Sequence, residues 1–337
     1  MSKVVITGVA GLLGSHLADK YASEGWSVIG IDNLIGGYRD NIPVGVEFHE
    51  IDCNDFNAVN NVLKGGEVDL VIHAACTAHE GLSVFSPDFI YRNTASASIS
   101  ILSASIANKV PKFIFCSSMA RYGDYGGLPF TEDLSPKPQD PYAIAKVSAE
   151  DCIRLMSKVH GIEYVILVPH NIIGPRQKYD DPFRNVASIM INRMLRGLPP
   201  IIYGDGKQTR SFSFISDVVD PLYRSSIEQN CSGEVINVGP DNNEISILRL
   251  AEIIADLTNY KGEFTFVPER PQEVKHASCS ADKARELLGY SPKIDLETGL
   301  AQMITYIRQR GVSEFDYSLP LEIISEKTPS TWKNRLI

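Results

Sequence analysis

Short apolar runs alternate with longer amphipathic stretches along the first half of the chain. The runs are rich in β-branched and aromatic residues and predict six strands, at 3–7, 28–32, 46–50, 70–73, 112–116 and 164–168. Helical periodicity appears at 12–24, at about 87–108 and at about 141–160. Because the strands are apolar throughout and alternate with helices, we expect a doubly wound α/β fold, with a parallel sheet covered on both faces.

The pattern changes after residue 170. Prolines punctuate loops around one predicted helix at about 185–196, and a late apolar run at 233–238 could rejoin the first sheet. Amphipathic helices at 247–257 and 282–288 indicate a smaller α/β unit. We therefore predict one domain over 1–170, rejoined by about 211–240, and a second over 171–210 and 241–310. The tail, 311–337, has weak periodicity and receives no role.

Composition and charge narrow the possible partners. Hydrophobic residues make up 44% and charged residues 22%, as in ordinary globular proteins. Lys and Arg total 32 against 41 for Asp and Glu, a net charge of −9, so the surface as a whole repels the phosphate backbone of nucleic acids. A local basic pocket for a small anion stays open.

The six cysteines, at 53, 76, 116, 152, 231 and 279, form no C-x-x-C pair and fit neither a zinc site nor a disulfide framework. Free thiols in a reducing compartment are the plain interpretation. We also expect no signal peptide, and no apolar stretch approaches about 18 residues, the length of a membrane span. We expect a cytoplasmic protein with no metal site and no membrane association.

A glycine-rich turn follows the first strand and opens the first helix. Gly8, Gly11 and Gly14 permit a tight turn and close approach of a pyrophosphate to the helix N-terminus, whose N–H groups are free. Asp32 ends the second strand and would accept hydrogen bonds from the adenosine ribose, and Asn33 brings no positive charge for a 2′-phosphate. This arrangement favours NAD over NADP. The alternative is a tight turn that binds nothing. Asp52 either lies in the same layer or caps the next helix.

A candidate catalytic set lies downstream. Tyr142 and Lys146 are four residues apart in a predicted helix and therefore share one face. A nearby ammonium and a positively charged nicotinamide would lower the phenol pKa from about 10 and make Tyr142 a usable base. Ser118, with Ser117 as the fallback, ends the fifth strand, where ligands bind in such sheets. The alternatives are a solvated helix face and a serine that merely begins a turn.

These motifs together resemble the extended short-chain dehydrogenase/reductase family, which has a Rossmann-type fold. The set comprises Gly8-x-x-Gly11-x-x-Gly14, Asp32-Asn33-Leu34, His73-Ala74-Ala75, Ser117-Ser118 with Tyr122-Gly123, Tyr142-x-x-x-Lys146, and Asn171 with Gly174-Pro175. The chain is most similar to the NAD-dependent nucleotide-sugar 4-epimerases acting on UDP-glucose or UDP-N-acetylglucosamine. The resemblance extends from Lys3 to about Gln309.

The resemblance implies further roles. Asn93 matches a position near the active site, and Lys146 would hold the nicotinamide ribose. His170 stands where many epimerases have a Phe beside the nicotinamide. Asn171 would contact the phosphate end of the substrate. Arg210, in a segment with Tyr203 and Gln208, and Arg270 would pair with the diphosphate; either arginine could instead form a surface ion pair.

The motifs and the resemblance give a full set of predicted contacts. Cofactor contacts are expected from Gly8, Gly11, Leu12, Leu13, Gly14, Asp32, Asn33, Asp52, Cys53, Ala74, Ala75, Asn93, Tyr142, Lys146 and His170. Substrate contacts are expected from Ser118, Tyr142, Asn171, Tyr203, Gln208, Arg210, Arg270 and Ala277. The resemblance also implies a homodimer, formed by the helices at 90–108 and 142–159, although both faces could instead pack on the sheet.

Two departures from the family pattern bear on the reaction. Met119-Ala120 replaces the Asp-Glu pair of sugar dehydratases and cannot exchange protons, which disfavours dehydration. Ala277 replaces a bulky Tyr of some epimerases, so the site would admit an N-acetylated or otherwise bulky sugar. The expected function is 4-epimerisation by transient C4 oxidation and return of hydride to either face. The alternatives are a nucleotide-sugar 4-dehydrogenase or keto-reductase, and a non-catalytic sensor of NAD or nucleotide sugar.

Overall fold

The computed structural model describes residues 1–126, 129–241, 243–271 and 275–337. The strands are β1 (Lys3–Thr7), β2 (Ser27–Asp32), β3 (Glu47–Glu50), β4 (Leu70–His73), β5 (Lys112–Cys116), β6 (Glu163–Pro169), β7 (Ile172–Ile173), β8 (Ile201–Tyr203), β9 (Thr209–Ser211), β10 (Ser213–Phe214), β11 (Val235–Val238), β12 (Glu244–Ser246), β13 (Thr265–Val267) and β14 (His276–Ala277). The helices are α1 (Leu12–Ser23), α2 (Phe56–Lys64), α3 (Glu80–Ser83), α4 (Pro87–Tyr91), α5 (Ala97–Ala107), α6 (Pro141–His160), α7 (Val186–Leu195), α8 (Ile215–Ile227), α9 (Ile247–Thr258), α10 (Asp282–Leu288), α11 (Leu296–Arg310) and α12 (Ser330–Lys333).

Seven strands form a parallel sheet in the order β11-β6-β5-β4-β1-β2-β3. This confirms the predicted α/β fold, and the late strand β11 does pair with β6. Successive residues of a strand point to opposite faces, so Val4 and Ile6 pack into one apolar cluster and Val5 packs into another. The reversal of strand order between β1 and β4 places the carboxyl ends of both strands beside one crevice, the usual ligand position.

Several helices differ from the expectation, and α3, α11 and α12 are among those not predicted. The stretch predicted as one helix at 87–108 is α4, a π-helical turn at Arg92–Ser96 and α5. Helix α2 was not predicted; Asp55 caps it by accepting from Ala58 N at 3.0 Å, so the capping alternative for Asp52 is wrong. Helix α8 also escaped prediction, because Pro221 lies inside it.

Helix α6 begins and ends as its sequence dictates. Asp140 accepts from Ala143 N at 2.9 Å, Pro141 occupies the first turn, and Gly161 ends the helix with φ +76°. These signals fix the start of α6 next to the carboxyl end of β5 and thereby place Tyr142 near Ser118.

All six cysteines are free. Among the described residues, no helix combines the length and apolar character needed to cross a membrane.

Candidate active site

The glycine-rich turn between β1 and α1 is built for close approach. Gly8 has φ +74°, and a Cβ built on it would lie 2.9 Å from the backbone of Ala75. A Cβ on Gly14 would lie 2.1 Å from the carbonyl oxygen of Gly8. No side chain caps α1 at Gly11, so the first N–H groups of the helix stay available to an anion.

Asp32 lies at the end of β2 and faces this turn. Its carboxylate accepts from Ala10 N at 2.9 Å and from Leu34 N at 2.7 Å. Burial raises the pKa of Asp32, and these backbone hydrogen bonds oppose the rise. Each carboxylate oxygen retains a lone pair for a ribose hydroxyl. The turn, the uncapped helix and this carboxylate fit an adenine dinucleotide.

The structure brings most of the predicted cofactor residues around one cavity. Its lining includes Gly8, Gly11, Leu12, Leu13, Gly14, Asp32, Asn33, Asp52, Cys53, Ala74, Ala75 and Asn93. Arg184, which sequence reasoning missed, lines the same cavity from a segment distant in sequence. Its Nη1 lies 3.3 Å from where a Cβ on Gly36 would stand.

A second cavity of about 360 Å³ adjoins the first. Five residues, Leu12, Leu13, Ala74, Cys76 and Arg184, line both cavities. The second cavity is also lined by the predicted substrate residues Ser118, Tyr142, Asn171, Tyr203, Gln208, Arg210, Arg270 and Ala277. Because these five residues border both cavities, a ligand in the first cavity would lie next to a ligand in the second.

Ser118 and Tyr142 line this second cavity together, and Ser118 interacts with the phenol so as to lower its pKa. Ser117, the fallback, instead donates to Glu150 Oε1 at 2.5 Å. Burial raises the pKa of Tyr142 well above its usual value; the thiol of Cys76 and the charge of Glu80 raise it further, and the interaction with Ser118 opposes them. The expectation of a lowered pKa is therefore not met by the chain's own groups.

Lys146 lies one turn along α6 and is 1% exposed. Its Nζ donates to the carbonyl oxygen of Cys116 at 2.6 Å and lies 5.9 Å from the centre of the Tyr142 ring. The ammonium thus fixes α6 against the end of β5. Within the described chain it does not line either cavity, so its contact with the nicotinamide ribose stays a prediction.

His170 lies behind the walls of both cavities. Its ring is fully buried against Cys279 Sγ, and a Cβ on Gly239 would lie 2.6 Å from His170 Cγ. Burial lowers its pKa to about 4, so the ring is neutral. The side chain lines neither of the two cavities as the described residues define them, so its contact with the cofactor stays a prediction. The preceding Pro169 and the following Asn171 line the second cavity.

Two arginines from separate segments reach the second cavity. Arg210, on β9, donates from Nη1 to the carbonyl oxygen of Thr209 at 2.7 Å, and β14 pairs with β9 so that Ala277 stands beside Arg210. The guanidinium of Arg270 lies 4.7 Å from the centre of the Tyr203 ring. Asn171 donates to the carbonyl oxygen of Ser211 at 3.0 Å. Guanidinium groups suit a diphosphate because each can donate two parallel hydrogen bonds.

Sequence reasoning missed several residues of the second cavity. His79 Nε2 bonds Asp181 Oδ2 at 2.7 Å in a buried pair, and Glu80 follows His79 at the start of α3. Burial raises the pKa of Asp181, but His79 outweighs it, so the net pKa is lowered. Phe183 and Trp332 complete this wall. No motif marks these residues, because their proximity arises only from the tertiary fold. Among described residues, no cluster of His, Cys, Asp and Glu suits a metal ion.

Comparisons with known proteins agree with this geometry. Residues 4–239 match the model of the NAD dependent epimerase/dehydratase family. A putative UDP-glucose 4-epimerase of Methanocaldococcus jannaschii is 33% identical over 308 residues, 90% of this chain and 98% of that protein. UDP-glucuronic acid decarboxylase 2 of Arabidopsis thaliana is 31% identical over 318 residues, 91% of this chain and 68% of that protein. The structure of UDP-glucose 4-epimerase from Thermotoga maritima with UDP-glucose is similar with a TM-score of 0.86 at 31% identity, covering 91% of this chain and 99% of that chain.

Proposed function

The chain belongs to the NAD-dependent epimerase/dehydratase family, and on that premise we propose that it is a UDP-sugar 4-epimerase. One observation carries the proposal: the Ser118–Tyr142 pair faces a cavity that shares a wall with the dinucleotide cavity. NAD is the cofactor, held by the glycine-rich turn and Asp32. When bound, it accepts and returns the hydrogen of the sugar C4 as hydride.

The chain's own residues would supply proton transfer and tethering. Tyr142 removes the proton of the C4 hydroxyl and later returns it. Ser118 donates to the same oxygen and steadies its developing charge. Arg210 and Arg270 hold the diphosphate while the 4-keto sugar turns over, so binding energy remote from C4 retains the intermediate.

Incubation with UDP-, GDP- and dTDP-sugars, followed by NMR of the products, tests the reaction. An epimerase inverts the coupling of the C4 proton without net change in NADH absorbance. A dehydrogenase or keto-reductase consumes cofactor in proportion to product. Absence of turnover despite bound nucleotide sugar would support a sensor.

The similarity to a UDP-glucuronic acid decarboxylase calls for a test of decarboxylation. If this chain decarboxylates UDP-glucuronic acid, the products are a UDP-pentose and carbon dioxide. We favour epimerisation, because relatives at 33% and 31% identity are named a putative UDP-glucose 4-epimerase and a UDP-glucose 4-epimerase.

The small residue at the sugar end extends the proposal to bulky sugars. Ala277 lines the cavity and is 8% exposed, and it faces the cavity beside Arg210. A methyl group there leaves room for a 2-acetamido substituent. We therefore propose that N-acetylhexosamines are among the substrates.

We also propose that the protein is a homodimer, because one face of α6 exposes apolar side chains. Ile144, Leu155 and Val159 of α6 are 47%, 61% and 63% exposed, at spacings of 11 and 4 residues that bring them to one side. Light scattering after size exclusion tests it. Leu155→Glu should give a monomer, whereas Ile324→Ala, an exposed apolar site in the tail, should leave the dimer intact.

A further inference from the structure

Two residues of the C-terminal tail, residues 311–337, line the second cavity. We call the predicted second domain (171–210 and 241–310) the substrate-binding lobe and the predicted first domain (1–170 and 211–240) the cofactor lobe. The tail is held first by the substrate-binding lobe: Asn192 Nδ2 donates to the carbonyl oxygen of Ser313 at 2.9 Å, and Asp316 N donates to that of Asp180 at 2.7 Å. It then reaches the segment after α3, where Ile323 N donates to the carbonyl oxygen of Phe85 at 2.8 Å. The tail therefore bridges both lobes.

The last part of the tail returns to the substrate-binding lobe. Tyr203 and Thr331 share a hydrogen bond of 2.7 Å between their hydroxyls, and Arg193 Nη1 donates to the carbonyl oxygen of Leu336 at 3.1 Å. Thr328, Thr331 and Trp332 are 2–3% exposed. A segment with so many specific contacts has a fixed position, in contrast to a loose terminus.

Trp332 lies at the wall of the second cavity. Its ring meets Phe183 edge-on at 5.3 Å and Phe85 at 5.9 Å between ring centres, and it belongs to the apolar cluster that includes Tyr142. A Cβ on Gly81 would lie 3.3 Å from Trp332 Cη2 and 3.4 Å from Arg270 Nη1. Trp332 and Ile337 both line the cavity. The tail thus supplies part of the wall of the cavity that Tyr142 and Arg270 also line.

Ala277, by contrast, belongs to a different apolar cluster bordering the same cavity. Two separate walls therefore limit the size of the sugar, and only one of them comes from the tail.

We propose that the tail is a built-in wall of the sugar subsite and that Trp332 is a specificity-determining residue which contacts the sugar. This rests on the proposed function, since it presumes a nucleotide sugar in the second cavity. Loss of the indole opens space beside Gly81, so larger sugars should gain relative to smaller ones. A change in pocket size of one methylene group alters the ratio of kcat/KM between two substrates by about 10-fold or more.

Fluorescence tests the contact without requiring turnover. The chain has two tryptophans, Trp26 and Trp332, and Trp26 packs on Tyr21 outside both cavities. Trp26→Phe therefore leaves Trp332 as the only tryptophan. Its emission should change with UDP-glucose and much less with UDP, while the Trp332→Phe protein, titrated in parallel, should not respond. Unchanged emission where calorimetry shows binding, or an equal change with UDP alone, would overturn the assignment to the sugar.

Kinetics test the specificity. Trp332→Ala and Trp332→Phe are compared with Leu336→Ala, an exposed apolar residue of the same tail, on UDP-glucose, UDP-N-acetylglucosamine and UDP-glucuronic acid. Trp332→Ala should raise kcat/KM for the larger sugars relative to UDP-glucose by about 10-fold, mainly through KM, with Trp332→Phe intermediate and Leu336→Ala unchanged. An equal fall for all sugars would show a merely structural role and overturn the proposal. Binding without turnover by the wild type would defeat only the proposed function, whereas absence of any binding would defeat both.

Discussion

The hydroxyl of Ser118 and the phenol of Tyr142 face the same cavity, and Ser118 opposes the burial that raises the pKa of that phenol. The two residues come from different elements: Ser118 follows β5, and Tyr142 lies in the first turn of α6. The pKa of the buried Tyr142 phenol is therefore set by its neighbours as well as by burial.

Ser118→Ala should slow the reaction and shift its pH dependence. Loss of one donor to a developing oxyanion lowers kcat by about 10²–10³-fold. Because Ser118 lowers the pKa of Tyr142, loss of its hydroxyl raises that pKa, and the acid limb of kcat/KM should move to higher pH. Ser117→Ala is the neighbouring control, since its hydroxyl bonds Glu150 and not the phenol. A larger effect at Ser117 would contradict the assignment.

Glu80→Gln should shift the same limb in the opposite direction. After burial and the thiol of Cys76, the charge of Glu80 is the next cause that raises the pKa of Tyr142. Its removal lowers the pKa, so phenolate forms at lower pH. Glu80→Asp keeps the charge and should retain the wild-type profile. Coincident profiles for Gln and wild type would show that Glu80 does not act on the phenol.

Asp32→Asn should weaken NAD binding. A carboxylate that accepts hydrogen bonds contributes about 1.5–3 kcal/mol per bond, so the dissociation constant should rise by about 10–100-fold. Calorimetric titration with NAD measures this. Asp52 lines the same cavity, but its carboxylate accepts a hydrogen bond from the backbone N–H of Asn54. Asp52→Asn should therefore change the affinity for NAD far less. Equal losses at the two positions would argue against a ribose contact at Asp32.

Ala277→Tyr should discriminate against 2-acetamido sugars. A phenol ring at this position fills the space beside Arg210, and kcat/KM for UDP-N-acetylglucosamine should fall about 10-fold or more relative to UDP-glucose. Ala277→Ser, which adds little volume, serves as the control. If Ala277→Tyr depresses both substrates alike, this wall does not face the 2-substituent.

Glu150→Ala should destabilise the fold. Arg121 Nη2 donates to Glu150 Oε2 at 2.9 Å, and the side chains are 2% and 0% exposed. Leaving the guanidinium buried without its partner costs about 3–5 kcal/mol of unfolding free energy. Asp151→Ala, one residue along the same helix and 69% exposed, should cost under about 1 kcal/mol. Urea unfolding of both variants measures the difference.

The local parts of the fold and site were predictable. Strands β1, β4 and β5 and helix α6 have the predicted bounds, because an apolar run or a cap and its glycine stop fix them within a few residues. The glycine-rich turn and the placement of Tyr142 and Lys146 on one helix face could also be predicted from local sequence. Each depends on residues close together in sequence.

The remainder depends on contacts across the chain. The ring of His170 turns toward Cys279, and nothing near residue 170 indicates that partner. Arg184 reaches the site from a loop and Trp332 from the short helix α12, and no motif marks either residue. Helix α8 forms despite Pro221 because Val218 and Leu222 are buried on its inner face. Tertiary packing decides all of these.

The pairing of β11 with β6 has a consequence for folding. Ile166 and Val235 are neighbours in the sheet, although the chain between them passes through the substrate-binding lobe. Until that lobe is synthesised, β6 is an exposed apolar edge able to pair with another molecule. A contact of such sequence separation also forms slowly. A fragment ending near residue 170 should therefore aggregate, and the two lobes should unfold together as one cooperative unit.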